Sequence, residues 1–141
     1  MIGKIIFWNI RSVNTQKSFE RLINLNKRYH YVFLALMEPF QDPSELDHFR
    51  RKLGFDTVGV NCSGKILYFW RSEWEGINIL DTVQQVTIRF KIDNKFFLIS
   101  AVYARCNALE RLELWAELES ITDRDRWPWI IGGYFNVILN E

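Results

Sequence analysis

Three stretches of this chain are apolar at every position, without the alternation expected of a strand that has one face in water. They are residues 5–8, 32–36 and 96–99. Strands that are covered on both faces have this pattern, and they occur where helices or a second sheet lie on each side of a sheet. The three stretches therefore predict a layered architecture of helices and sheets.

Length and composition predict one folded domain over residues 1–141. Hydrophobic residues make up 48% of the chain and charged residues 25%, as expected of a chain that buries a core. The 18 Lys and Arg against 17 Asp and Glu leave a net charge of +1. This balance argues against a polybasic protein that binds through many phosphate contacts, but it allows an enzyme that touches a few phosphates.

The sequence carries no targeting signal that we recognise. The N-terminal apolar run is too short for a signal peptide, and no stretch approaches the length of a membrane span. The two cysteines, Cys62 and Cys106, are too few for a disulfide framework or a zinc site, so we expect free thiols. We therefore expect an intracellular protein, cytoplasmic or nuclear, with no membrane partner.

Hydrophobic periodicity predicts a βαβ unit, a helix, a meander of strands and a second βαβ unit. Strands are predicted at 4–10, 31–37, 55–60, 65–71, 77–82, 84–92, 95–104 and 128–134, and helices at 15–29, 42–54 and 107–122. This order is typical of an α/β fold with a mixed β-sheet flanked by helices. Crossover connections make the joined strands parallel, so their carboxyl ends should meet at one edge, where ligand sites favour such sheets.

Capping signals define the second helix. Asp42 is the predicted N-cap, with Pro43 at the first helical position. Glu45 completes a capping box, and Gly54 is the predicted C-terminal cap.

Two further local signals are also clear. The third predicted helix begins at Asn107 and has Glu110 at the capping-box position. Asp93 and Asn94 together predict a tight hairpin turn between two strands.

Four polar residues close apolar strands, or directly follow them, at the predicted ligand edge. They are Asn9, Glu38, Tyr103 and Asn136. Taken singly, each has an ordinary structural explanation: a solvated strand end for Glu38, or an aromatic ring with a wet hydroxyl for Tyr103. Their common placement is what indicates a functional site.

These residues stand in four strings that resemble the endonuclease/exonuclease/phosphatase superfamily. The strings are Phe-Trp-Asn-Ile-Arg at 7–11, Leu-Met-Glu-Pro at 36–39, Ala-Val-Tyr-Ala at 101–104 and Ile-Gly-Gly-Tyr-Phe-Asn-Val-Ile-Leu at 131–139. They occur in family order, and they are most similar to the apurinic-type endonuclease domain of plant non-LTR retrotransposons. The resemblance implies a two-sheet α/β sandwich, DNase I-like, that hydrolyses phosphodiester or phosphomonoester bonds with Mg²⁺ or Mn²⁺.

The resemblance also implies a role for each polar residue. Glu38 resembles the metal-ligating glutamate, and Asn9 the asparagine that helps to position metal and phosphate. Tyr103 resembles the tyrosine that donates to a phosphate oxygen. Asn136 resembles the asparagine of a Gly-Asp-Phe-Asn signature, which donates to the charge that grows in the transition state.

Two departures from the family pattern affect the expected activity. Tyr134 stands where the family has the aspartate of that signature, and a phenol that titrates near pH 10 supplies no anion at neutral pH. Cys106 stands where many nuclease members carry asparagine, three residues after the tyrosine.

The family's closing segment, with a further aspartate and an Asp-His pair, has no counterpart in this sequence. We therefore expect an N-terminal part of such a domain with little or no catalytic activity. We also expect an uncovered apolar sheet face, because the lacking segment should supply much of the second sheet, and hence a tendency to self-associate.

Two classes of function remain open at this point. One is a metal-dependent phosphodiesterase that acts on DNA or another phosphodiester, as the ancestral activity. The other is a non-catalytic remnant, either a module that binds nucleic acid or a gene fragment without selected function.

Overall fold

The fold comprises eight strands and three α-helices in a computed structural model that describes residues 3–10, 16–38, 43–122 and 126–136. The strands are β1 (Lys4–Asn9), β2 (Tyr31–Met37), β3 (Thr57–Val60), β4 (Ile66–Trp70), β5 (Glu75–Asp81), β6 (Gln85–Ile92), β7 (Lys95–Tyr103) and β8 (Trp129–Tyr134). The helices are α1 (Gln16–Tyr29), α2 (Leu46–Leu53) and α3 (Ala108–Thr122), and a 3₁₀ turn, Pro43–Glu45, precedes α2. Every predicted strand and helix is present.

The strands form two four-stranded mixed sheets. The first has the order β1-β2-β4-β3 and the second the order β5-β6-β7-β8. The two βαβ units give the parallel pairs, β1 with β2 and β7 with β8, and the other pairs are antiparallel. The predicted α/β class with a two-sheet sandwich is confirmed.

The continuous apolar runs are explained by four layers. Alternate residues of β2, among them Phe33 and Ala35, face the second sheet and pack with Phe90 and Ile99. The residues between them, such as Leu34, face α1 and α2. On the far side of the second sheet, three residues of α3 pack against β7, namely Leu114, Leu118 and Ile121.

This layering corrects one expectation. We expected the lacking segment to supply much of the second sheet and hence to leave an apolar sheet face uncovered. Instead β5, β6, β7 and β8 build a second sheet within the chain, and α3 covers that sheet. The predicted strand meander separates from the first sheet because its own inner face, including Val86 and Ile88, closes the inter-sheet core.

The turn and capping signals read from the sequence are found in the structure, with one change at the start of α2. Gly54 adopts φ +78° and its N–H bonds the carbonyls of Arg50 and Arg51, so it ends α2 as predicted. Asp93 and Asn94 have φ +49° and +64°, which is the conformation of a two-residue hairpin turn.

The third helix is capped as predicted, while the second begins later than predicted. Asn107 Oδ1 accepts the N–H of Leu109 at 2.8 Å. The regular part of α2 begins at Leu46 and not at Pro43, because residues 43–45 close as a tighter 3₁₀ turn. Asp42, the predicted N-cap, lies outside the described residues. No helix of the described residues has both the length and the apolar character needed to cross a membrane.

Candidate functional site

The carboxyl ends of the two parallel strand pairs meet at one edge of the sandwich. Asn9 is the last residue of β1, opposite Met37 in the register of β2, and Glu38 follows β2 directly. Tyr103 ends β7, and its hydroxyl bonds the carboxylate of Glu38. The structure therefore brings these three residues together across the two sheets, and Asn136, which follows β8, lines a pocket with Tyr103.

Asn9 brings an unused hydrogen-bond acceptor to this edge. Its Oδ1 is buried and has no hydrogen-bond partner, and it is the only such buried side-chain atom among the described residues. A buried polar atom without a partner is costly, so it generally marks a place where a water, an ion or a ligand completes the site.

Glu38 is held in an unusual backbone conformation. Its φ is +59°, which non-glycine residues adopt rarely and which occurs in turns and at functional sites. Its N–H donates to the carbonyl of Lys65 at 2.8 Å. The turn between β3 and β4 therefore fixes the position of the Glu38 backbone, from which the carboxylate extends.

The hydroxyl of Tyr103 has a raised pKa. Burial, as the main cause, together with hydrogen bonding to Glu38 and that carboxylate's negative charge, raises the pKa of Tyr103 to about 12. The hydroxyl is therefore a donor throughout the physiological range.

Tyr134 lies beside Tyr103 at the open rim of the site. Its ring meets that of Tyr103 edge-on, with the ring centroids 5.8 Å apart, and the residue is 40% exposed. The position that holds aspartate in the resembling family therefore presents a phenol and not a carboxylate.

Asn136 is turned partly toward the protein. Its φ is +54°, and its Nδ2 donates to the carbonyl of Ala104 at 2.7 Å. This bond connects the segment after β8 to the loop after β7. It uses one of the two hydrogens of the Asn136 amide, and the predicted role as a donor would need the other.

A small pocket opens next to these residues, with a volume of about 150 Å³. Its polar lining comes from Tyr103, Asn136 and Cys106, together with two basic residues, Lys65 and Arg105. Sequence reasoning did not single out Lys65 or Arg105, because each is an isolated basic residue in a turn. Only the fold places both at one pocket, and together they favour an anionic ligand.

Two buried amides that sequence reasoning also missed hold the loops of the site. Asn61 Oδ1 accepts the N–H groups of Lys65 and Ile66, while Asn61 Nδ2 donates to the carbonyl of Thr82. This side chain fastens the turn that carries Lys65 to the second sheet.

Gln84 does the same for the loop after β7. Its Oε1 accepts the N–H of Arg105, and its Nε2 donates to the carbonyl of Glu110. Its backbone carbonyl accepts the N–H of Tyr103. A polar residue just before a strand is usually exposed to solvent. Nothing in the sequence pattern therefore indicated that Gln84 is buried.

The donors at this edge suit a hard divalent cation. Glu38 offers a carboxylate and Asn9 a buried amide oxygen without a partner, and Mg²⁺ commonly takes one or two carboxylates together with water and phosphate oxygens. Within the described part of the chain, no three Asp, Glu, His or Cys side chains cluster as a metal site. The two residues would therefore hold a cation only together with the substrate.

Solved structures with a similar fold exist at low sequence identity. An endonuclease/exonuclease/phosphatase family protein from Bacteroides thetaiotaomicron superposes with a TM-score of 0.66 at 18% identity, over 94% of this chain and 63% of that one. The endonuclease domain of TRAS1, a telomere-specific non-LTR retrotransposon, gives a TM-score of 0.70 at 12% identity, over 95% and 60%. The human Nocturnin catalytic domain gives 0.61 at 17% identity, over 94% and 64%.

This chain has their fold. The chain spans less than two thirds of the length of these structures. No family model matches the sequence, and no curated protein matches it. The structural similarity establishes the endonuclease/exonuclease/phosphatase fold, and identities this low establish nothing finer.

Proposed function

We propose that this chain carries the substrate-binding part of a metal-dependent phosphodiester-hydrolysing site, of the DNA endonuclease type, with little or no remaining turnover. The observation that carries the proposal is the junction of Asn9, Glu38 and Tyr103 at one sheet edge, with the Asn9 Oδ1 left open. Solved nucleases and phosphatases of the same fold support it.

Each residue has a definite part in this proposal. Glu38 and Asn9 would hold Mg²⁺ or Mn²⁺, which when bound would polarise the phosphate and lower the pKa of bound water. Tyr103, a neutral donor, and the free amide hydrogen of Asn136 would bond phosphate oxygens. Lys65 and Arg105 would add positive charge beside the phosphate.

The proposed loss of turnover rests on the lack, among the residues that the structure describes, of a suitably placed base. Tyr134 is a phenol, so this position supplies no carboxylate that could act as the general base for water. His30 precedes β2 and therefore lies at the opposite end of that strand from Glu38, and His48 lies on α2. His30 therefore does not reach the site, and His48 is not among the residues that line the pocket beside Tyr103.

A supercoiled-plasmid nicking assay with Mg²⁺ or Mn²⁺ tests the proposal. We expect no nicking above an EDTA control for the chain, for Glu38→Ala or for Tyr134→Asp, which restores one carboxylate but no base-histidine pair. Nicking that needs both the metal and Glu38 would show a working site. Strong nicking by Tyr134→Asp alone would show that the phenol is the only defect.

A second candidate is nucleic-acid binding without hydrolysis. It is favoured by the basic pocket residues Lys65 and Arg105, and by a groove on α1 that is lined by Lys17, Arg21 and Arg28 together with Glu20, Asn24 and Leu25. Salt-sensitive DNA binding that survives Glu38→Ala would support this module. Absence of binding by a folded sample would leave a gene fragment without selected function.

We propose an origin in a retrotransposon endonuclease. The support is the order of the four sequence strings and the similarity in fold to the TRAS1 domain.

A further inference from the structure

Tyr134 ends β8, and its side chain is turned toward the first sheet. It pairs with Tyr103 in the register of β7 and β8, on the sheet face that packs against the first sheet. Gly132, two residues earlier on that face, is so close to β1 that a Cβ there would lie 2.4 Å from the ring of Phe7. Asn9 is two residues beyond Phe7 on the same face of β1. The ring of Tyr134 therefore points into the candidate site and not away from the sheet.

The described residues include three exposed aromatic side chains, and these differ in what covers their rings. They are Tyr29, Trp115 and Tyr134, with exposures of 37%, 39% and 40%. Trp115 stacks on Phe135 with ring centroids 6.4 Å apart, and two cations lie over the ring of Tyr29. Tyr134 meets Tyr103 edge-on, at an interplanar angle of 82°, so this contact occupies at most one face of its ring. Tyr134 therefore offers a flat apolar surface to a ligand.

The pocket beside Tyr103 is electropositive. Two cations from different loops, Lys65 and Arg105, are among its described lining residues, and no carboxylate is. Glu38, which bonds the Tyr103 hydroxyl, does not line it. Because Tyr103 lines the pocket and also contacts the ring of Tyr134, an anion in the pocket would lie one tyrosine ring away from that surface.

Cations beside an available aromatic ring are the combination that binds single-stranded nucleic acid. The cations hold the phosphate backbone, and the ring stacks on a base. In a duplex both faces of a base are covered by its neighbours, so a base reaches such a ring only after it leaves the stack, which costs free energy. A site of this kind therefore discriminates between unpaired and paired nucleotides.

We propose that Tyr134 is a specificity-determining residue that stacks on the base of an unpaired nucleotide, while Lys65 and Arg105 hold an adjacent phosphate. The proposal rests on the proposed function for the class of ligand, a phosphodiester chain, but it requires neither a bound metal nor hydrolysis. The aspartate of the resembling family offers no stacking surface, so the phenol gives this position a different role. The chain should then prefer single strands to a duplex.

Fluorescence anisotropy of short labelled oligonucleotides, titrated with the whole chain, tests the proposal. The probes are an oligothymidylate, an oligouridylate and a DNA duplex of the same length, in EDTA and at low ionic strength. We expect the chain to bind single strands about tenfold more tightly than the duplex. The unpaired base is common to both single strands, so their comparison shows which sugar the site accepts.

Substitution of Tyr134 should remove this preference. Tyr134→Leu takes away the ring, and we expect it to weaken binding of the single strands roughly tenfold while the affinity for the duplex stays within about twofold. Tyr134→Phe keeps the ring and should bind single strands within about twofold of the parent. Near-UV circular dichroism reports folding, and the preference of the parent tests the proposal even if Tyr134→Leu does not fold.

Two further variants separate stacking from charge. Tyr29→Leu is the matched control, because Tyr29 is an equally exposed tyrosine beside cations, at the end of α1 and far along β2 from Glu38. We expect it to change the affinity for single strands by less than about twofold. Arg105→Met should weaken binding of single strands and duplex alike, because phosphate contacts carry no information about base pairing.

Three outcomes would overturn the proposal. The first is a parent chain that binds no single strand, or binds the duplex as tightly as the single strands. The second is a folded Tyr134→Leu that keeps the parent's affinity for single strands. The third is a Tyr29→Leu that loses as much affinity as Tyr134→Leu. Metal-dependent nicking of plasmid together with any of these would leave the hydrolytic site standing and remove only the stacking role of Tyr134.

Discussion

On the β1–β2 side of the candidate site, the strand ends present oxygen acceptors, Asn9 and Glu38. On the β7–β8 side they present two phenols, Tyr103 and Tyr134. One hydrogen bond, from Tyr103 to Glu38, connects the sides. The first side offers oxygen ligands of the kind that a hard cation prefers, and the second offers phenol hydroxyl groups but no carboxylate.

The backbone of each side is nevertheless held in place in a similar way. A buried amide holds each of them: Asn61 fixes the turn whose Lys65 carbonyl receives the N–H of Glu38, and Gln84 fixes the loop after Tyr103. Asn61 and Gln84 are only 2% and 3% exposed. The difference between the sides therefore lies in the chemistry of single side chains and not in the framework that positions them.

The largest effect should come from disrupting the pairing of β7 with β8, within the second side. Gly133 has φ +133°, and a Cβ there would lie 2.1 Å from the carbonyl oxygen of Val102 on β7. We expect Gly133→Ala to lower the free energy of unfolding by at least about 3 kcal/mol, since both the backbone and the neighbouring strand must shift. Urea denaturation measures this change.

Gly64→Ala is the control for backbone strain alone. Gly64 also has a positive φ, +77°, but a Cβ there meets no atom within 4 Å. We expect it to cost about 1 kcal/mol. Equal losses for the two variants would mean that the close approach of β8 to β7 does not matter to stability.

A smaller effect should follow from releasing the β7–β8 side. Gln84→Ala removes the hydrogen bonds to Arg105 and Glu110, and we expect a loss of about 2 kcal/mol in the free energy of unfolding. Amide chemical shifts should move at Arg105 and Tyr103 and stay fixed at Glu38. Gln16→Ala, whose side chain bonds only Glu20 at the surface, should change stability by less than about 0.5 kcal/mol. If the amide shifts at Glu38 were as large as those at Tyr103, the two sides would not be held independently of each other.

Local signals in the sequence predicted the framework well, because they depend on neighbours along the chain. The two positive φ values at Asp93 and Asn94 and the cap at Gly54 need only a short segment to be recognised. The partition of strands into two sheets was not predicted correctly, since it depends on which strand faces pack together. The start of α2 was misplaced because capping patterns do not distinguish a 3₁₀ turn from the first turn of an α-helix.

The candidate site divides in the same way. Its strand-end residues were predicted, since any residue that closes a buried strand in a βαβ unit falls at the ligand edge. The pocket cations Lys65 and Arg105 and the buried amides Asn61 and Gln84 were not, because each comes from a different loop and only the packed sheets bring them together.

The smallest predicted effect is on the proton of Tyr103, and it tests the bond that connects the two sides. In Glu38→Gln the pKa of Tyr103 should fall from about 12, but stay above the ordinary value of 10.0, because burial, the main cause of the shift, remains. NMR of ¹³Cζ-labelled tyrosine follows this titration, with Tyr103→Phe to assign the signal. Glu75→Gln, on β5, should leave it unchanged.

The same shift predicts the dependence of stability on pH. The folded chain holds this proton to about pH 12, whereas an unfolded tyrosine releases it near 10.0. The contribution of Tyr103 to stability is therefore complete below pH 10 and is lost as the pH rises from 10 toward 12. Glu38→Gln should narrow that window from its upper end, so the parent and the variant should differ in how steeply stability falls above pH 10. Identical profiles in the two proteins would mean that Glu38 does not contact Tyr103 in solution, and that the two sides of the site are independent.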